Sequence, residues 1–260
     1  MTPLDIAHAA MERDETDEAS RLRFFDCLAD GEFFLLLEEE PVGNDLKPRL
    51  FPLEEGPVIL IFDLEERMAE FSGGVAPYAA LPGRVIAQML AGQGIGLGVN
   101  LGVAPSQMIL PPEAMDWLAG LLEGAPEDAE DVPERFEIPR RLPSALVQAL
   151  EAKLGRMAGL AAFALLMGVT YRGGRRGHML AIVGAAEGAR EALAHAVREA
   201  VVFSGLEAGV LDVTFLTGEE EVLGRMVQVA RRFDIPAPEV RERAAPVAPG
   251  SDPDRPPKLR

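Results

Sequence analysis

Residues 125–142 read APEDAEDVPERFEIPRRL, with prolines at 126, 133 and 139 and six acidic side chains. A stretch this polar and proline-interrupted buries no core of its own and reads as an extended linker. It divides a chain of 260 residues, longer than the commonest domain size, and so predicts two domains. The expected organisation is a first domain over 1–124, a linker over 125–142, a second domain over 143–235 and a proline-rich, aperiodic tail over 236–260. Hydrophobic residues make up 48% of the chain, enough for a core in each half.

Hydrophobic spacing places helices and strands in both halves. Thr2-Pro3 is a cap followed by proline at the first helical position, opening a helix to about Arg13. A second helix runs from Asp17 to Gly31. Phe33 to Leu37 is a continuous apolar run of strand length, and Val58 to Phe62 repeats the pattern with β-branched and aromatic residues. A shorter strand is expected near Arg49 to Leu53. Asp63-x-x-Glu66 resembles a capping box at a helix start. Helices follow over 82–93 and from Pro111, separated by the glycine-spaced strand Gly94 to Asn100. The second half reads helix 143–156, strands 160–171 and 178–184, helix 187–203, strand 210–216 and helix 219–232. The fold class is α+β, each domain a small mixed sheet flanked by helices.

Charge is unevenly placed. The net charge is −17, and residues 1–124 hold 22 acidic against 7 basic side chains. Such a surface repels phosphate backbones, which disfavours nucleic acid as a partner. The apolar runs are too short for a membrane helix, which needs about 20 residues. The first residues show no basic-then-apolar leader pattern, so the cytoplasm is the expected compartment.

Catalytic and metal motifs fail on spacing. His8, His178 and His195 fall in different elements, and Cys27 is the one cysteine; neither zinc-type spacing nor an internal disulfide is available. Cys27 sits mid-helix beside Phe24 and Leu28, where a thiol behaves as a small hydrophobe. Ser204 follows a helix and lacks the first glycine of a nucleophile elbow. The run Gly92 to Gly98 has a helix before it and a strand within it, the reverse of a dinucleotide loop, so close backbone packing explains it. No cofactor, metal or catalytic set is expected.

Six residues remain as candidate ligand or partner contacts. Asp63 closes a buried strand, where open sheets place ligand groups and where a helix cap is equally at home. Arg84 and Asn100 stand at element ends that would line a pocket. Arg172, Arg175 and Arg176 gather at a hairpin tip beside His178, a setting for an anion or an acidic partner. An enzyme with a site shared between domains would need Asp63, His178 or Asp212 to converge.

Three stretches carry a family resemblance: Leu22-Arg23-Phe24-Phe25 through Phe33 to Leu37, Val58 to Asp63, and Gly96-Leu97-Gly98-Val99-Asn100-Leu101-Gly102 leading into Ile109 to Glu113. They resemble the SseB family, named for enhanced serine sensitivity. Leu101 departs from it, standing where proline is usual in an Asn-Pro-Gly-type turn. The second half resembles the family's C-terminal domain more loosely. The resemblance implies a cytoplasmic bacterial protein without an established reaction. The expectation is therefore a non-catalytic accessory protein that contacts another protein through its acidic first domain, with a small-molecule-binding regulator as the alternative.

Overall fold

Phe33, Leu35 and Leu37 face one side of a sheet, and Phe34 and Leu36 face the other. That alternation within a wholly apolar run sets the first domain's architecture, because both sheet faces then need cover. The computed structural model describes residues 1–41, 43, 45–54, 56–124, 132–206 and 211–238. The first domain contains α1 (Pro3–Arg13), α2 (Glu18–Asp30), β1 (Glu32–Leu36), β2 (Phe51–Leu53), β3 (Gly56–Phe62), α3 (Glu65–Ser72), β4 (Tyr78–Pro82), α4 (Gly83–Leu90), β5 (Gly96–Val99), β6 (Met108–Leu110) and α5 (Pro112–Glu123).

Its strands run in the order β4-β1-β3-β5-β6. Only the β3–β5 pair is parallel. β1 pairs with the carboxyl end of β3 and β2 with its amino end, so two short strands share one edge of a longer one. Leu4, Leu22, Phe24, Leu28, Ile86, Leu90, Met115 and Leu118 from four helices close the inner face over Phe33, Leu35, Ile59, Ile61, Leu97 and Val99. The outer face is covered only by α3 and neighbouring loops, around Val58, Leu60, Phe62 and Met68.

The second domain contains β7 (Pro133–Glu137), α6 (Ser144–Gly155), β8 (Phe163–Tyr171), β9 (Arg176–Val183), α7 (Arg190–Phe203), β10 (Leu211–Leu216), α8 (Glu221–Val227) and β11 (Arg231–Asp234). Its order is β10-β9-β8-β11, with β9 and β10 parallel. β11 and β7 share one edge of β8 end to end, as β1 and β2 share an edge of β3. α6 and α7 cover one face and α8 the other. The inner helices of the two domains meet: α2 packs on α7, and Phe203 of α7 joins the first domain's core.

Four expectations need correction. Residues 133–137 are not linker: they form an edge strand, whose one inward side chain, Phe136, packs over β8 while Glu134, Arg135 and Glu137 face out. Proline is tolerated at the start of such an edge, and a single apolar residue gave no readable period. The expected helix over 219–232 ends at Val227, and Arg231–Asp234 form β11. β4 likewise lies where no strand was expected. Residues 236–238, placed in the tail, are tied down where Pro236 O accepts from the Gly159 amide at 2.8 Å; residues 125–131 and 239–260 lie outside the described residues.

The glycine-spaced strand is explained by close packing. A Cβ on Gly96 would sit 2.8 Å from Leu110 O, and one on Gly98 would sit 2.5 Å from Leu60 Cδ2 and 2.9 Å from Leu101 Cδ1. The turn that follows keeps its geometry without proline: the Val103 amide donates to Asn100 O at 3.3 Å, and Gly102 takes φ +74°. Positive φ at that third position is the requirement of a type II turn, and Leu101 occupies the position where proline is favoured rather than required.

Candidate functional site

Asp63 and Asn100 meet at the carboxyl ends of the parallel pair β3 and β5. Asn100 is fully buried with φ +49°. Its Oδ1 accepts from the Asp63 amide at 3.1 Å, and its Nδ2 donates to Ser106 Oγ at 3.0 Å. Ser106 Oγ in turn donates to Asp5 Oδ1 at 2.6 Å. Arg67 clamps Asp5 and Asp63 together, with Nη2 donating to Asp5 Oδ2 at 2.6 Å and Nη1 to Asp63 Oδ1 at 2.7 Å. Thr2 Oγ1 completes the ring by donating to Asp63 Oδ2 at 2.6 Å. Burial alone would raise the Asp5 carboxyl, but hydrogen bonds from Arg67, Ser106 and the Thr2 amide together hold it well below the usual carboxylate range.

This arrangement spends the polar atoms of Asp63 and Asn100 on the protein itself. Asp63 is not a helix cap either: α3 begins at Glu65 with Leu64 at the cap position and no side-chain cap bond. The capping box that exists is at α1, between Thr2 and Asp5. The network ties α1, α3 and the two strand ends into one unit.

Arg84 belongs to a second network, at the domain interface. Lys153 of α6, 4% exposed, lies 2.9 Å from Asp26 Oδ1, 3.0 Å from Asp30 Oδ2 and 3.0 Å from Glu199 Oε2. Arg84 donates to Asp30 and to Glu199, the latter at 2.9 Å, and Arg156 donates to Asp30 at 2.8 Å. Three carboxylates and three cations from α2, α4, α6 and α7 therefore balance across the interface. Asp26 Oδ1 touches Nζ without hydrogen-bond alignment and has no other partner. Burial pushes the Asp26 carboxyl up, against the pull of Lys153. For Lys153, burial opposes the charged form, but Asp26, Asp30 and Glu199 together raise the ammonium above its ordinary value. Around the cluster, Arg23 donates to Gln148 at 2.7 Å and Arg198 to the Leu121 carbonyl at the end of α5 at 3.1 Å.

Of this cluster the sequence singles out Arg84 alone. The readable signal is Lys153 on the stripe of Leu146, Leu150 and Leu154, and Glu199 beside Val197 and Ala200, charges embedded on apolar helix faces. Lys153 finds Asp26 and Asp30 more than a hundred positions away on α2, and Glu199 finds Arg84 on α4 and Lys153 on α6, pairings that local periodicity does not reveal.

At the β8–β9 hairpin the arginines separate. Arg175 stacks over the Tyr171 ring at 4.0 Å and donates to Asp212 at 3.0 Å. Tyr171 also donates to Asp212, and burial, then that carboxylate, pushes the phenol above its ordinary range. Arg172 lies 3.9 Å from Glu134 of β7, and Arg176 stands opposite Thr170 in the β8–β9 register with an exposed side chain. His178 contacts the Arg140 carbonyl through Nε2 at 3.1 Å. Asp63 lies in the strand-end network, so the structure does not join it with His178 and Asp212. Ser204 Oγ donates to the Val201 carbonyl at 2.6 Å, and burial pushes the Cys27 thiol up. Among the described residues no group of three His, Cys, Asp or Glu side chains is placed to hold a metal ion, and no helix is long and apolar enough to cross a membrane. A broad groove of about 610 Å³ runs beside α6, lined by Arg141, Leu142, Ser144, Gln148, Glu151 and Arg231; none of the six candidates lines it.

Two mixed sheets joined through their inner helices define a two-domain α+β protein. Comparison with family models matches residues 4–117, most of the first domain, to the SseB protein N-terminal domain. Comparison with curated proteins and with solved structures returns no match.

Proposed function

We propose that the chain is a non-catalytic, cytoplasmic accessory protein that binds another protein through its acidic SseB-type domain. The observation that carries this reading is the placement of the acidic excess. Glu12, Glu15, Glu18, Glu38, Glu54, Glu65, Glu66 and Glu70 are exposed, whereas the domain's cations are largely engaged: Arg67 and Arg84 inward, Lys47 on Glu39 at 2.5 Å. A surface of one sign steers and selects a partner of the other. The interface cluster supports the reading by presenting that surface on a fixed frame. The looser likeness of the second half to the family's C-terminal domain and the link to serine sensitivity rest on the sequence resemblance alone.

The test is affinity mass spectrometry in the native organism with the full chain and a variant in which Glu12, Glu15, Glu18, Glu65, Glu66 and Glu70 become lysine. A specific partner enriched by the parent and lost by the folded variant is the expected result. Equal recovery of the same proteins by both chains would overturn the proposal.

The groove beside α6 favours a second reading, a small-molecule-binding regulator. Arg141 stands there beside the Arg231–Glu151 pair at 2.7 Å, and a thermal-shift screen of amino acids and nucleotides addresses it. A saturable shift removed by Arg231→Ala would raise this reading above the first.

A further inference from the structure

The outer face of the first sheet carries an aromatic band that helices leave partly open. By register, Tyr78 of β4, Phe34 of β1, Phe62 of β3 and Phe51 and Leu53 of β2 all point to this face. α3 covers its middle with Met68 and lays Phe71 across it. The rings touch in sequence: Phe34 and Tyr78 lie 5.4 Å apart, Phe62 and Phe71 5.3 Å, and Phe71 and Phe51 6.1 Å. Phe34 and Phe62 are direct cross-strand partners, so the band is continuous from β4 to β2. Phe71, Tyr78 and Leu53 are 37%, 36% and 43% exposed, with Leu50, Leu64 and Val75 exposed beside them. Large apolar side chains gathered in one place on a soluble surface mark an interaction site rather than the scattered exposure normal for single residues.

The rim specifies the occupant. Glu32 stands on the same face of β1 as Phe34 and Leu36; Glu65, Glu66 and Glu70 lie on α3; Glu38 and Glu54 follow β1 and β2. The local cations are largely occupied: Arg49 stacks over Phe51 at 5.3 Å, Lys47 pairs with Glu39, and Arg67 is turned into the Asp5–Asp63 network. An apolar centre within an acidic rim complements a segment with apolar anchors flanked by positive charge. The geometry points to this outer face as the docking surface for a segment of another protein that carries at least two aromatic or aliphatic anchors flanked by lysine or arginine. The inference rests on the interaction reading above and names its surface and the chemistry of its partner.

The experiment selects peptides from a random displayed library on the immobilised full chain, then measures the best binder by fluorescence anisotropy. Selected sequences should combine apolar anchors with lysine or arginine. Phe71→Ser with Tyr78→Ser should weaken binding about ten-fold or more, as expected for loss of aromatic anchors. Glu66→Lys with Glu70→Lys should weaken it several-fold and flatten its salt dependence. The glutamates lie outside the core, so this second variant keeps the test valid if the first fails to fold. Selection of sequences without basic residues, or binding unchanged by both variants, would overturn the inference. So would sedimentation showing that a second copy of the chain buries this face. A cellular partner lost on reversal of Glu12, Glu15 and Glu18 but retained by both outer-face variants would leave the interaction reading standing and remove this surface from it.

Discussion

Lys153→Met removes the cation at the centre of the interface cluster while keeping its length and apolar stem. Asp30 retains Arg84 and Arg156, and Glu199 retains Arg84, but Asp26 loses its one close cation. Breaking a buried pair from one side costs about 3–5 kcal/mol, chiefly because a charge is left uncompensated. With a urea m-value of about 3 kcal/mol/M, the unfolding midpoint should fall by roughly 1–1.7 M. The double variant Lys153→Met with Asp26→Leu removes both members and should regain most of that loss. The sign with pH follows from Asp26. Its folded-state pKa is already raised by burial, and loss of Lys153 raises it further. A raised carboxylate pKa contributes stability that is present below its unfolded value and lost as pH rises through the folded one. The defect of Lys153→Met should therefore be larger at pH 7 than near pH 4. The assay is urea unfolding followed by circular dichroism at both pH values for the parent and both variants. A loss below about 1 kcal/mol at pH 7, against the 3–5 expected of a broken buried pair, would refute the reasoning. A double variant no more stable than the single one would refute it too.

Three further outcomes are expected. Asp5→Asn should destabilise the first domain at neutral pH, and the gap to the parent should close on acidification. The lowered Asp5 pKa confers stability present above the unfolded value and lost as pH falls toward the folded one, and thermal melts from pH 7 to 2 check it. Phe203→Ala takes from the first domain's core a ring supplied by the second, costing about 3–5 kcal/mol, and should split a single calorimetric transition into two. Gly98→Ala forces a methyl group against Leu60 and Leu101 and should cost about 1–3 kcal/mol, read as a lower Tm of that single transition.

Most of the frame was legible because it rests on local rules. Continuous apolar runs declared β1 and β3, the Thr2-Pro3 start declared α1, and the glycine spacing of β5 read correctly as close packing. Short edge elements escaped. β7 offers one inward side chain, β11 follows a helical pattern without a break in composition, and β4 is a short Tyr-Ala-Ala-Leu-Pro stretch without apolar alternation. Each is specified by the strand it pairs with, which lies elsewhere in the chain. The candidate residues show the same divide. Asp63 and Asn100 stand at strand ends as the sequence pattern implies, but their closure by Asp5, Arg67 and Ser106 depends on residues 37 to 101 positions apart being folded together. Arg84 was noticed, yet its partner Glu199 lies 115 positions on. The aromatic band was invisible for a related reason: its rings come from five elements, and only register brings them onto one face.

The central claim is that a partner engages the acidic SseB-type domain. Hydrogen exchange measured on the full chain with and without the partner recovered from cells tests it most directly. The account predicts protection confined to the first domain, strongest over residues 32–36, 51–53 and 65–78. Protection confined to α6 and the groove around Arg141 and Arg231, with the first domain unchanged, would contradict it.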